Sequence, residues 1–417
     1  MLRNVGCIVL AFAAVVAGGS LVGSAASPQT EAANKALDYI RTLQNADSGF
    51  PMSGGGSDPG ATIDAVFAFT ARGIDPATVK RDGNSPLDYL EAQTDSYITT
   101  AGHLAKLVLG LAEAGEDPRD FAGHDLVAGM NAGFNSTSHS YGDGPIDHAL
   151  YMLARERLNL SPAHGSASHL ESKQLNDGCW EYSDGVGCDT NTTALAIEAL
   201  LAAGVDPSDS AIEDALDYLE GAQNDDGGFP YDPLSSWGTD SDANSTAFVL
   251  QALIAAGEDI DEDRWQAPDG TTPLDTLVAF QLDSGAFEWQ PGLGANAMAT
   301  YQAVPALLLE PYPGAPKTEE REATRTPKPT KTPTPTVAPT AESTATPLPP
   351  SVAPTVVATP PSAAPTSAVA GITVAAAGEG AGGHGDSAGV SLVTTLLLAG
   401  GGALMATAGL TLRLRRR

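Results

Sequence analysis

Gln223-Asn-Asp-Asp-Gly227-Gly-Phe229 is one of four variants of a single phrase. The others are Gln44-Asn-Ala-Asp-Ser-Gly49-Phe50, Gln174-Leu-Asn-Asp-Gly178-Cys-Trp180 and Gln281-Leu-Asp-Ser-Gly285-Ala-Phe287. Each stands between two helical patterns. A phrase that returns about every 50 residues marks an array of one supersecondary unit. The helix before it reads Ala36-Leu-Asp-Tyr39, Pro86-Leu-Asp-Tyr89, Ala215-Leu-Asp-Tyr218 or Pro273-Leu-Asp-Thr276. Leu216, Leu219 and Ala222 fall on one face, with Asp217 and Glu220 opposite, as in a helix packed on one side.

The helix after the phrase is apolar on most faces, as in Thr192 to Ala203 and Ser245 to Ala256, and such a helix is buried. It stops at a glycine: Gly73, Gly115, Gly204 or Gly257. The double interval from Gly115 to Gly204 holds a degenerate unit, whose second helix is expected at about Pro145 to Leu158. The second unit has a worn turn at Gln93-Thr-Asp-Ser-Tyr97. The count is six outer–inner helix pairs. Closing them into a barrel hides the apolar faces that an open array would leave at its ends.

The Gln-…-Gly-Phe/Trp turn between paired helices resembles the prenyltransferase and squalene-cyclase repeat. The resemblance covers about Pro28 to Pro313 and implies an all-α fold, an (α/α)6 toroid of six helical hairpins. It leaves function open, because toroids host cyclases, prenyltransferases, vitamin carriers and thioester domains.

The ends of the chain read differently. Residues 1–26 have the pattern of a secretory signal: Arg3, an apolar stretch from Val5 to Ala17, and Ser24-Ala-Ala26. Residues 28–313 would be the toroid. Residues 314–388, rich in Pro, Thr and Ala, read as a disordered, extended stalk. Residues 389–412 carry no formal charge and are long enough for one transmembrane helix. The basic tail 413–417 marks the cytoplasmic side. The expectation is a single-pass membrane protein with its toroid outside. Between Glu31 and Ala323 lie 48 of the 51 acidic residues but only 13 of the 21 Lys and Arg. A surface this acidic repels phosphate backbones, which argues against nucleic acid as a partner.

Four chemistries were weighed. Squalene-cyclase-like enzymes carry Asp-x-Asp-Asp-Thr-Ala, whose middle Asp is the proton donor. Asp189-Thr-Asn191-Thr-Thr-Ala194 and Asp242-Ala-Asn244-Ser-Thr-Ala247 match that frame with Asn at the acid position. An amide has no proton to give, so Asn191 and Asn244 are expected to cap helices instead. Asp177-Gly-Cys179 resembles part of a prenyltransferase zinc site, but every barrel His precedes it, so no cofactor is expected. The Cys-Gly-Glu-Gln of a thioester domain is absent, since Trp180 follows Cys179. Asp240, Asp242 and Asn244 alternate like the start of a calcium loop, without its later Gly and Glu. Two of the three Asn-x-Ser/Thr triplets, at Asn135, Asn191 and Asn244, coincide with those expected caps.

All six inner helices should begin at one end and form a mouth with a positive dipole fringe. Asp64, His103, Asp147, His148, Asn191, Asn244 and Asn296 fall in or near those first turns. With Phe67, Tyr151, Phe248 and Tyr301 they would line a pocket that is polar at the rim and apolar at the floor. The expected role is non-catalytic capture of a small amphiphile or an extracellular partner. The alternatives are a terpenoid cyclase-like or carbohydrate-active enzyme working through Asp64 or Asp147, and a purely structural surface module.

Cys179 and Cys188 are the only cysteines left after signal removal, nine residues apart, in an oxidising compartment. They are expected to form a disulfide contributing roughly 2–3 kcal/mol. Reduction should lower the urea midpoint of the wild type and leave Cys179→Ala/Cys188→Ala unchanged. Free-thiol labelling at both positions in exported protein would contradict the bond.

Overall fold

A computed structural model describes residues 27–316 apart from Trp237. The expected signal 1–26, the linker beyond its first three residues, the span 389–412 and the tail 413–417 lie outside the described residues. Within them, no helix is long and apolar enough to cross a membrane.

Twelve α-helices alternate between two layers. The outer ones are α1 (Pro28–Leu43), α3 (Pro86–Tyr97), α5 (Leu126–Ala132), α7 (Ser166–Glu171), α9 (Ser210–Ala222) and α11 (Pro273–Ala279). The inner ones are α2 (Pro59–Ala71), α4 (Ala101–Ala114), α6 (Pro145–Arg157), α8 (Thr190–Ala202), α10 (Ala243–Ala256) and α12 (Ala297–Leu307). Each inner helix packs on the next, and α12 packs back on α2, so the ring is closed. The outer helices cover the inner ring; α1 lies against both α12 and α2. Every residue of α8 is buried, whereas α9 buries only the stripe from Ala211 to Ala222 that faces inward.

The degenerate third unit is α5–α6, with α6 where its apolar pattern placed it. Two details differ from the sequence reading. Gln93 to Tyr97 is not a turn but the end of α3, because it has no glycine to leave the helix with. The sixth unit adds a short antiparallel pair, β1 (Phe287–Glu288) with β2 (Ala295–Asn296), so the fold is not purely helical.

The repeated phrase owes its residues to one bonding pattern. Gln174 Nε2 donates to Gly178 O at 2.8 Å, closing its own turn, and to Ala211 O at 2.8 Å, at the start of the next outer helix. Gln223 bonds Gly227 O and Trp265 O, both at 2.9 Å. Gln44 bonds Ser48 O and Val79 O. Gln281 bonds Gly285 O at 3.1 Å and Ala32 O at 2.8 Å, joining the last unit to the first. Gly178 and Gly285 sit at φ 85° and 89°. A Cβ there would strike the carbonyls of Asp214 and Lys35 on the neighbouring outer helix. The aromatic that ends each phrase donates its N–H to a threonine in the inner helix: Phe50 to Thr62, Trp180 to Thr193, Phe229 to Thr246 and Phe287 to Thr300, at 2.9–3.0 Å.

A second set of bonds runs between units at the inner N-termini. Thr190 N donates to Tyr231 O and Ala243 N to Trp289 O, both at 2.9 Å. Tyr141 Oη donates to Ala101 O and Tyr301 Oη to Pro51 O. These links bring the loops that enter the inner helices together at one end of the ring.

At the other end the chain leaves α12 and turns back across the barrel. Tyr312 enters the lumen, and Gly314 packs against the Leu153 carbonyl of α6. Gly314 to Pro316, read from composition as the start of the stalk, therefore pack against the barrel.

Gln281→Leu leaves the carbonyls of Gly285 and Ala32 without their donor. The expected cost is roughly 1–3 kcal/mol in urea unfolding. Gln93→Leu, which touches no bridge between units, should change stability by no more than about 0.5 kcal/mol.

Candidate functional site

Numbering each inner helix from its N-cap places equivalent residues in rows around the lumen. The second residues are Gly60, Gly102, Ile146, Asn191, Asn244 and Met298. The sixth are Asp64, Lys106, Leu150, Leu195, Phe248 and Gln302. The ninth are Phe67, Leu109, Leu153, Glu198, Gln251 and Pro305. Positions four and seven apart share a helix face, so each helix sends one stripe inward.

The sixth-residue row is divided. Leu150, Leu195 and Phe248 make an apolar wall. Opposite them Lys106 Nζ meets the Asp64 carboxylate at 2.9 Å, with both side chains about 5% exposed or less. Burial pushes the Asp64 carboxyl up and the Lys106 charge pulls it back. Asn244 Nδ2 donates to Gln302 Oε1 at 2.6 Å, joining α10 to α12.

The centre is occupied by the protein itself. The Tyr312 ring lies 5.5 Å from Phe67 and 5.8 Å from Phe248, and its N–H donates to Glu198 Oε1 at 2.8 Å. A narrow cavity remains on each side, each with about 10 Å³ of free room, space for roughly one water. The one toward the mouth is lined by Leu150, Tyr182, Asp189, Asn191, Phe248 and Tyr312 among others. The other is lined by Asp64, Phe67, Gln251, Tyr301, Gln302 and Tyr312 among others. Three buried polar atoms here lack partners: Asn191 Nδ2, Glu198 Oε2 and Gln302 Nε2.

Asn191 and Asn244 do not cap their helices. The caps are Asp189 and Asp242, two residues earlier. Asp189 accepts the N–H and the hydroxyl of Thr192 at 2.7 Å, and the Tyr231 side chain of the next unit also bonds it. Asp242 accepts both groups of Ser245 at 2.8 Å and is also bonded by the Trp289 side chain. A carboxylate takes two or three donors where an amide oxygen takes fewer, so Asp suits a buried cap best. Burial pushes Asp189 up to about 7 and Asp242 up to about 6 against the pull of those donors.

The other expected mouth residues divide. Asp64, Phe67, Asn191, Asn244 and Phe248 face the lumen. Asn296 caps α12 through Ala299 N–H. His103 stacks on Tyr97, with Nδ1 at 2.8 Å from Tyr97 O. Asp147 lies against Gly102 and accepts Asp143 N–H; burial pushes its carboxyl up. His148 is held between Tyr141 N–H and Ser166 O, and Tyr151 stacks on Tyr141 and Phe134. These two pack between α6 and the outer layer, because they fall off the inward stripe of α6. Tyr301 lines the second cavity, but its hydroxyl bonds Pro51 O.

The calcium reading of Asp240, Asp242 and Asn244 fails. Asp242 is occupied as a cap and Asn244 turns into the lumen toward Gln302. Among the described residues no group of three or more His, Cys, Asp and Glu could hold a metal ion. Cys179 and Cys188 are joined as a disulfide, with Cα atoms 5.7 Å apart.

Residues 148–290 match the family model of the squalene-hopene cyclase C-terminal domain. That stretch runs from α6 to the loop before α12. Among solved structures the chain is similar to the type II terpene cyclase MstE from Scytonema. Identity is 14%, over 67% of this chain and 97% of that one, with a TM-score of 0.49. A glycosidase in complex with glucose matches at 14% identity over 68% and 98%, TM-score 0.45. An ent-copalyl diphosphate synthase from Streptomyces platensis matches at 18% over 60% and 50%, TM-score 0.41. Likenesses this distant carry nothing about substrate.

Lys106, Glu198, Gln302 and Tyr312 were not singled out from the sequence. Glu198 left a signal, as the one charged residue in the apolar α8. Burial pushes its carboxyl up to about 8. The folded state then keeps a proton that the unfolded chain releases near the ordinary glutamate value. Stability therefore falls as pH rises through the window from about 4.5 to about 8. Glu198→Gln keeps an acceptor for Tyr312 N–H and cannot ionise. Its stability should fall less across that window than the wild type's, by on the order of 2–4 kcal/mol, read from urea midpoints at several pH values.

Proposed function

We propose that this chain is an extracytoplasmic toroid, tethered to the membrane by residues 389–412, that binds a partner at its mouth and catalyses no reaction. The observation that carries this reading is the filled lumen. Tyr312 and the side chains around it leave room for roughly one water beside Asp189 and Asn191 and for roughly one beside Asp64, far below the hundreds of Å³ of a small-molecule site. A roomier cleft of about 400 Å³ lies at the other end of the barrel, where Phe67, Glu113, Arg157 and Tyr312 line it, away from both cyclase-like frames. A polyprenyl chain has no room to fold beside either frame. The acid of the cyclase frame is Asn191 or Asn244, and the neighbouring Asp189 and Asp242 are engaged by several donors each. Asp64 faces Lys106, so its proton would leave a buried ammonium without a counter-charge.

Binding at the mouth is supported by where apolar surface is exposed. Of the six exposed large hydrophobics among the described residues, Met52, Leu175, Val186, Leu234 and Leu293 lie in segments that enter an inner helix, and Leu309 follows α12 at the other end. Solvent-facing aliphatic groups gathered on one rim are a common mark of an interaction surface.

Incubation of the full-length chain with squalene, shorter polyprenyl substrates and aryl glycosides should yield no cyclised or hydrolysed product. A product that disappears on mutating Asp64, Asp147, Asp189, Asp242 or Glu198 to the corresponding amide, with the fold intact, would overturn the binding reading.

A further inference from the structure

The mouth loops of units four and six share a device outside the helical repeat. Trp180-Glu181-Tyr182-Ser-Asp-Gly185-Val186-Gly187 matches Phe287-Glu288-Trp289-Gln-Pro-Gly292-Leu293-Gly294. In the first, the Glu181 carboxylate accepts the N–H of Gly185 at 2.9 Å and of Gly187 at 3.1 Å. In the second, Glu288 accepts those of Gly292 at 2.9 Å and Gly294 at 2.8 Å. Each carboxylate grips the glycines on both sides of one aliphatic residue and holds it in solvent. Val186 is 61% exposed and Leu293 62%. In unit five Leu234 takes the corresponding place, 88% exposed, with its N–H bonded to Asp232 Oδ1 at 2.8 Å. A solvent-facing aliphatic tip is unfavourable to an isolated fold, and one recurs in each of three adjacent units at the same end of the ring.

The charge of that surface is one-sided. The segments entering the inner helices are 44–58, 98–100, 133–144, 172–189, 223–242 and 281–296. Together they hold fourteen Asp and Glu against one Lys, Lys173, itself 3.5 Å from Asp184. Arg72, Lys80, Arg81, Arg119 and Arg264 lie in the segments that follow the inner helices; of these Arg81 reaches the entering segment of unit one, donating to Gln44 O at 2.8 Å, and Arg264 is paired with Asp217 and Glu220. At the centre of the mouth, Asn191, 4% exposed, lines the upper cavity, and its Nδ2 has no acceptor.

We propose that the mouth is a docking site for a basic, amphipathic peptide segment of a partner protein. Its apolar side chains rest on Val186, Leu234 and Leu293, its cations face the rim carboxylates, and one main-chain carbonyl is bridged to Asn191 Nδ2 by a water in the upper cavity. This rests on the reading of the mouth as the binding face and adds the chemistry of the partner. The acidic rim selects against acidic partners, and the tips select against purely polar cations. That water meets a buried donor that has no acceptor within the chain.

The test uses the full-length chain in zwitterionic nanodiscs, with empty nanodiscs as the blank, and fluorescence anisotropy of three labelled peptides of equal length. These alternate Lys with Leu, Lys with Ser, and Glu with Leu. The Lys–Leu peptide should bind, more weakly as salt rises. Val186→Ser/Leu234→Ser should lower its affinity about tenfold or more, because both positions face solvent and the fold does not depend on them. Asn191→Leu should lower it severalfold while thermal stability holds or rises. Lys–Ser and Glu–Leu should bind at least tenfold more weakly than Lys–Leu. Equal binding of Glu–Leu, lost in the tip variant, would overturn the basic-peptide assignment and keep the mouth as the binding face. Equal binding of Lys–Ser would overturn the role of the tips. No peptide showing dependence on Val186, Leu234 or Asn191 would overturn both.

Discussion

One side-chain amide, used four times, holds this ring together. The glutamine that opens each repeated phrase has two N–H groups. One closes the turn beneath it and the other reaches a main-chain carbonyl of the next unit, in the first turn of its outer helix (Ala211, Ala32) or in the segment that leads to it (Val79, Trp265). A carbonyl oxygen has two lone pairs, so it can accept this bond beside any it already holds, and the buried amide finds a partner for each N–H. Repeating a fixed contact between successive hairpins repeats a fixed rotation, and six such steps return the chain to its start. The bond from Gln281 to Ala32 is the same contact made across the closure. Units two and three lack it and use other links, such as Tyr141 Oη to Ala101 O and His124 to Asp95. The ring thus tolerates worn units without opening.

Closure has an electrostatic consequence. Six helix N-termini meet at one end, and those of α8 and α10 are covered by the aromatic loop of the following unit. Their free N–H groups cannot reach water and need side-chain acceptors. Asp189 and Asp242 supply them at the cost of burying a carboxyl group, and their raised proton affinities are the trace of that cost. Perturbed carboxyls in a toroid mouth are a pattern that invites a catalytic reading. Here the donors around them account for the arrangement, and the lumen behind them is filled by Tyr312. The Tyr312 N–H fixes one oxygen of Glu198 and leaves the other without a partner; burial raises that carboxyl's proton affinity and the Tyr312 bond only partly offsets it.

With the lumen closed, chemistry moves outward to the loops. The helices fix where each loop begins and ends, and the Glu181 and Glu288 carboxylates fix its shape. The result is an acidic rim that carries the exposed aliphatic residues Val186, Leu234 and Leu293. This division, a repetitive frame with individual loops, lets one fold carry many functions.

The hairpin count, the layer of each helix, the closed ring and the degenerate third unit could all be read from the chain, because they follow from local periodicity and a repeated phrase. The site could be read only in part. Asp64, Phe67, Asn191, Asn244 and Phe248 were placed near the lumen correctly, since helical phase alone sends them inward. His148 and Tyr151 were not: counted from the N-cap Gly144 they are the fourth and seventh residues of α6, off the inward stripe of Ile146, Leu150 and Leu153. The cap was misassigned from Asp189 to Asn191 because both residue types cap helices, and only burial by Tyr231 makes the carboxylate the better choice. Lys106 and Asp64 stand 42 residues apart, and Glu198 and Tyr312 stand 114 apart. No local pattern joins such pairs. Periodicity along the chain determines which residues face the lumen, and only closure of the ring decides which of them meet.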